Sequence, residues 1–90
     1  MQKTVITVVG KDTEGIIARV CTYLAERKIN ILDISQTIVQ GFFNMMMIVD
    51  TSAMDTDFIS LSEGLDSLGK DIGVQIKCQK EEIFNMMHRI

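Results

Sequence analysis

The chain has 90 residues, 47% of them hydrophobic, and a net charge of −3. That length implies a single domain, and the apolar content offsets the ordering entropy that leaves polar chains disordered. Nine Lys and Arg spread along the chain form no basic stripe of the kind a nucleic-acid binder carries. No apolar run approaches the roughly 20 residues needed to span a bilayer. Met1 to Val5 lacks a signal-peptide layout, so a cytoplasmic protein with no membrane partner is expected.

Lys3–Val9 is rich in β-branched residues and Gly10 breaks it, which predicts a first strand. In Gly10-Lys11-Asp12-Thr13-Glu14-Gly15, Asp12 or Thr13 is placed to cap a helix. Glu14 would bring negative charge to its first turn. Ile17, Val20, Cys21 and Leu24 then recur at helical spacing, with Arg19, Thr22 and Glu26 on the other side. Arg27 and Lys28 fall at the end that favours positive charge. Asn30 to Val39 reads as a second strand. Leu32, Ile34 and Ile38 share one of its faces, interrupted by Gln36, and Asp33, Ser35 and Thr37 share the other.

Gln40-Gly41 is a short turn into a third strand, Phe43 to Asp50, and the two strands make a hairpin. Phe43, Met45, Met47 and Val49 form its more apolar face; Phe42, Asn44, Met46 and Ile48 form a mixed one. After a loop at 51–54, a helix is expected from Asp55, with Phe58, Leu61, Leu65, Leu68 and Ile72 at steps of three and four. Gly64 inside it costs about 1 kcal/mol relative to Ala and points to a close helix contact. Gly69 and Gly73 offer stop signals. Val74, Ile76 and Cys78 alternate with Gln75, Lys77 and Gln79 in a fourth strand. Residues 81–90 close the chain as a short amphipathic helix, with a stripe of Ile83, Met86, Met87 and Ile90, acid at its start and His88 and Arg89 at its end.

The order is βαββαβ plus a terminal helix. Each half reads strand, helix, strand, and right-handed crossovers interlock them as an α+β, ferredoxin-like sandwich. The expected sheet is four-stranded and antiparallel, of order 4-1-3-2, with both main helices on one face. Residues 1–90 are thus one domain: a βαββαβ core at 3–80 and a tail helix at 81–90. In this order the second and fourth strands are edges. The fourth is defended by Lys77 and Lys80, whereas the second has no Lys or Pro between Ile31 and Gln40. A chain of this size buries only roughly 60–65% of the surface its unfolded form exposes. The second strand is therefore expected to pair with its copy in a homodimer.

Catalytic chemistry is poorly represented. Cys21 and Cys78 match no metal spacing and fall on apolar faces, as packed thiols do. The one histidine, His88, sits where it complements a helix end. Asp55 and Asp57 read as helix-start residues, and no nucleophile elbow is present. Neither a metal nor a cofactor is expected, and the chain reads as no enzyme. An RNA-binding sheet of this type needs aromatics on its first and third strands, and the first strand has none. Met45, Met46, Met47, Met86 and Met87 supply adaptable apolar surface, which keeps a pure protein–protein assembly module as the alternative.

The run Val8-Val9-Gly10-Lys11-Asp12-Thr13-Glu14-Gly15-Ile16-Ile17-Ala18, then Leu24-Ala25-Glu26 and Asn30-Ile31-Leu32-Asp33-Ile34-Ser35-Gln36, resembles the ACT domain. The likeness covers essentially the whole chain. It is greatest to free-standing single-ACT-domain proteins, and extends to the ACT domains of formyltetrahydrofolate deformylases and the regulator of glycine cleavage. It implies a regulatory module that binds an amino acid or similar small molecule and, being free-standing, signals to a protein partner the sequence does not name. In that family the ligand sits between the loop after the first strand and the second strand of a neighbouring subunit. Carried over, the ligand-binding positions are Gly10, Lys11, Asp12, Gly15 and Ile16 in the loop, with Asn30 and Ile31 from across the interface. Many ACT loops have Pro where this chain has Glu14, which leaves the loop less pre-set and puts a carboxylate near an anion site.

Overall fold

The computed structural model describes residues 1–87. Its elements are β1 (Lys3–Lys11), α1 (Ile16–Glu26), β2 (Asn30–Val39), β3 (Phe42–Asp50), α2 (Phe58–Ile72), β4 (Val74–Lys80) and α3 (Glu81–Met87). The sheet order is β2-β3-β1-β4 with every pair antiparallel, which is the expected 4-1-3-2. Alternation along the strands sends Ile6 and Val8 of β1, Phe43, Met45, Met47 and Val49 of β3, and Val74 and Ile76 of β4 to one face. Ile16, Val20 and Leu24 of α1 and Leu61 and Leu65 of α2 meet them there in one cluster. Both helices therefore lie on the same face. Burying each large side chain of this kind contributes roughly 1.5–3 kcal/mol.

Several local expectations change. Gly10 does not end β1: it pairs with Phe43 on one side and Val74 on the other. A Cβ there would come within 2.7 Å of Val74 Cγ1, so glycine is required by the close approach of β4. α2 starts three residues later than Asp55, and its cap is Asp57, whose carboxylate accepts from the Ser60 N–H at 2.7 Å. That hydrogen bond holds the Asp57 carboxyl below its ordinary range. Gly69 does not stop α2. It is buried inside it, 2.6 Å from the Val74 carbonyl measured from a built Cβ, while Gly73 terminates the helix at φ 81°. Gly64 does mark the helix contact, because the Tyr23 hydroxyl of α1 occupies the space its side chain would take.

β2 departs most from its expected pattern. A bulge between Ile31 and Asp33 shifts the register, so Ile31, not Leu32, pairs with Val49 and packs on the core. Beyond it Ile34, Gln36 and Ile38 lie beside Met47, Met45 and Phe43, on the helix side of the sheet. They stay exposed there: Ile34 is 39% and Ile38 53% exposed. Beyond the bulge β2 is an edge strand exposed on both faces, with one donor occupied locally, the Ile34 N–H bonding Asp33 Oδ1 at 2.9 Å.

α3 follows β4 directly and contacts β1 and β4. Its expected inward stripe is not buried where it is described: Ile83 and Met86 are exposed, and Phe84, outside the stripe, is half-buried. The Met87 side chain and His88, Arg89 and Ile90 lie outside the described residues. Val5 points away from α1 and α2 yet is buried, which fits cover by α3.

Candidate functional site

The loop from β1 to α1 is tied down at its start. The Asp12 N–H donates to the Gly41 carbonyl in the β2–β3 turn at 2.8 Å. The Thr13 hydroxyl donates to the Lys11 carbonyl at 3.1 Å. The chain then turns through Gly15 at φ 82°, ψ 5°, a left-handed conformation that glycine adopts without strain. Gly15 is the N-cap of α1 and supplies no side chain to it. Asp12 and Thr13 are thus too early to cap the helix as the sequence suggested, and Glu14 precedes the first turn and does not enter it. Arg27 and Lys28 likewise follow the last turn.

Between this loop and β2 lies a groove of about 340 Å³, lined by Asp12, Thr13, Gly15, Ile16, Ile17, Ala18, Gln36, Ile38 and Phe43. Its floor is apolar: Ile16 and Phe43 are 2% and 3% exposed. Its polar groups stand at the rim, with Asp12 and Thr13 on the loop and Gln36 on the strand. None of the lining side chains is basic, and Glu14 is exposed outside the lining. A groove of this size and composition suits a small molecule with a polar end held at the loop and an apolar part against the isoleucines.

Of the expected site residues, Asp12, Gly15 and Ile16 line the groove. Lys11 belongs to the same loop but pairs with Phe42 at the end of β1, outside the lining. Gly10 packs against β4 instead. Asn30 and Ile31 stand at the far end of β2, paired with Asp50 and Val49, so within one chain they are remote from the loop. Thr13, Ile17, Ala18, Gln36, Ile38 and Phe43 are additions. Gln36 could have been found in the sequence, because it breaks a row of isoleucines.

Titratable chemistry is sparse elsewhere. Burial raises the Cys21 thiol and pushes that of Cys78 up to about 12, so neither supplies a thiolate near neutral pH. Among the described residues no group of three or more His, Cys, Asp or Glu could hold a metal ion. No helix among them is long and apolar enough to cross a membrane.

Comparison with known proteins agrees with this fold. The family model described as "ACT domain" matches residues 2–79. A UPF0237 protein of Bifidobacterium longum is 63% identical over 90 residues, covering 100% of both chains. The solved structure of an ACT domain protein from Streptococcus pneumoniae is similar with a TM-score of 0.82 and 42% identity, covering 92% of this chain and 93% of that one. A formyltetrahydrofolate deformylase from Pseudomonas syringae has the same fold over 89% of this chain and 28% of its own, at a TM-score of 0.82 and 18% identity. A glycine cleavage system transcriptional repressor shares it over 88% of this chain and 45% of its own, at a TM-score of 0.75 and 22% identity.

Proposed function

The chain belongs to the ACT-domain family, and from that premise we propose that it senses a small molecule, an amino acid or a close relative, through a homodimer built on β2. The matched module is regulatory and non-catalytic. The observation that carries the reading is the groove, which joins the β1–α1 loop to the exposed edge strand. Asp12 is the acceptor for an ammonium group. The start of α1, lacking a side-chain cap, offers backbone N–H groups to a carboxylate. Lys11 adds positive charge at the outer rim. Gly10 contributes by letting β1 and β4 close up behind the loop. Antiparallel pairing of two β2 strands about a twofold axis sets the start of one beside the end of the other. Asn30 and Ile31 of the partner subunit then approach Gly41, whose carbonyl anchors Asp12. Because the groove and the subunit boundary share β2, a ligand with unequal affinity for two dimer arrangements shifts their balance, and a partner protein reads the result.

The test is a thermal-unfolding screen against amino acids, nucleobases and folates. Ligand at 100 times its dissociation constant raises stability by roughly 2.7 kcal/mol. A shift with one ligand, lost in Asp12→Ala and Gly15→Val, supports the reading; unchanged affinity in both variants removes the site from this groove.

A second reading has one observation in its favour. On the sheet face away from α1 and α2, Val9, Val39, Phe42 and Met46 are 41–55% exposed. An assembly module without a ligand would use such a surface. A dimer that no compound stabilises favours this alternative.

A further inference from the structure

On the sheet face away from α1 and α2, strand pairing sets residues in rows. One row holds Val39, Phe42 and Lys11, and two rows further along stand Ser35, Met46, Thr7 and Lys77. In the row after that Val5 is buried, which fits cover by α3, whose contacts are with β1 and β4. Short of that row Val9, Val39, Phe42 and Met46 are exposed. A sheet buries an apolar face under helices or under a second sheet. Two helices do this on the other side, whereas α3 is one helix of 7 residues and covers only part of its own. The charge of the open area decides what completes the layer. Its charged residues are Lys11 and Lys77, in a chain with 12 acids against 9 bases. Neither lysine forms an ion pair among the described residues. A second copy would bring two more lysines and no acid to meet them. A net charge of −3 disfavours an anionic membrane. An added strand finds no free backbone groups here, because β1 and β3 are paired on both sides.

We propose that this face docks an amphipathic helix of a partner protein, its apolar stripe on Val9, Phe42 and Met46 and its acidic flank toward Lys11 and Lys77. This rests on the sensor reading only for the existence of a protein partner, and gives that partner its surface. Lys77 pairs with Thr7, which precedes Lys11 on the same face of β1, so roughly 13 Å of strand separates the two lysine rows. Two turns of α-helix rise about 11 Å. Acids two turns apart on one flank therefore reach both lysines, beside an apolar stripe at helical spacing. Such a helix lies next to α3 in one layer, as α1 and α2 lie side by side on the opposite face. β2 and β3 then carry the ligand groove on one face, through Gln36, Ile38 and Phe43, and the docked helix on the other.

The probe is a labelled, Ala-rich synthetic helix of about 18 residues, long enough to be helical in water. It carries Leu along one stripe and two Glu two turns apart on the flank. A second peptide has Lys in place of both Glu, and a third has the same composition with the stripe scrambled. Fluorescence anisotropy with the full chain should show the Glu peptide binding roughly tenfold more tightly than the Lys peptide, since two attractions replace two repulsions. That difference should narrow in salt. Met46→Lys should abolish binding, and Lys77→Glu should remove the preference for Glu. Equal binding of the scrambled peptide, binding that survives Met46→Lys, or no binding by any of the three overturns the proposal. A sedimentation mass that falls in Met46→Lys assigns the face to a second copy and overturns it too. So does binding of the parent chain to vesicles of phosphatidylserine and phosphatidylcholine that is lost in Met46→Lys, which assigns the face to a membrane. Met46 lies across the sheet from the groove, so a small molecule that stabilises the parent should stabilise Met46→Lys equally. Docking can therefore fail while the groove reading stands.

Discussion

The two halves of the fold have the same order and opposite finishes. In β3–α2–β4, the helix begins on a side-chain cap, Asp57, and ends on Gly73 in the left-handed conformation that closes a helix. Its second strand buries Val74 and Ile76 against the core. In β1–α1–β2, the helix begins on a bare glycine, and its second strand lies open on both faces after the bulge. One half has its helix ends capped and its helix-side apolar residues buried within the chain. The other leaves a helix start, a groove and a strand edge to be satisfied from outside, which is where binding surfaces on a rigid scaffold are expected.

Substitutions in the closed half should cost the most stability. Leu65 is fully buried, and Leu65→Ala should destabilise by about 2–5 kcal/mol in urea unfolding. Gly69→Ala is next. A Cβ would press on the Val74 carbonyl, which is backbone and cannot swing aside. Overpacking costs about 1–3 kcal/mol, against the roughly 1 kcal/mol that alanine gains in a helix. A stabilised Gly69→Ala would show that α2 and β4 are not locked at this contact. In the open half, Gly15→Ala meets nothing within 4 Å, so its cost is the left-handed backbone alone, about 1–2 kcal/mol. Ile38→Asp should alter the stability of the single chain by no more than about 0.5 kcal/mol. On the proposed dimer through β2, the same variant should lower the sedimentation mass from two chains to one. If Ile38→Asp unfolds the chain, the open half is not independent of its cover.

The sequence patterns conveyed the closed half well and the open half in outline. Period-2 alternation in Phe43 to Val49 and Val74 to Cys78, and steps of three and four through Leu61, Leu65 and Leu68, place nearly every buried residue, because burial itself imposes those periods. β2 resisted the same treatment. Its isoleucines imply a buried face, but the bulge that sends Leu32 aside leaves no mark in a single sequence. Whether a helix covers a face is decided by how far that helix reaches across the sheet. The site was half legible for a related reason: the Asp12–Gly15 loop is contiguous, whereas Gln36, Ile38 and Phe43 reach the groove only through strand pairing. α3 misled because amphipathic spacing predicts a buried face without saying what is there to bury it.

The smallest expected effect bears on the same contrast. Hydrogen bonding to the backbone N–H of Ser60 favours the ionised form of Asp57 and lowers its pKa. A carboxyl whose pKa is lower folded than unfolded contributes stability that is present in full above its unfolded value, near 4. That contribution disappears as pH falls through the lower, folded value. Asp57→Asn keeps a side-chain acceptor at the cap and removes the titration. Denaturation across pH should therefore show the parent ahead of Asp57→Asn at neutral pH by a margin that shrinks toward zero in acid. A like effect at the start of α1 is not expected, because its cap is Gly15 and no acid lies in its first turn. A margin that persists in acid would mean that the α2 start depends on the shape of Asp57 and not on its charge.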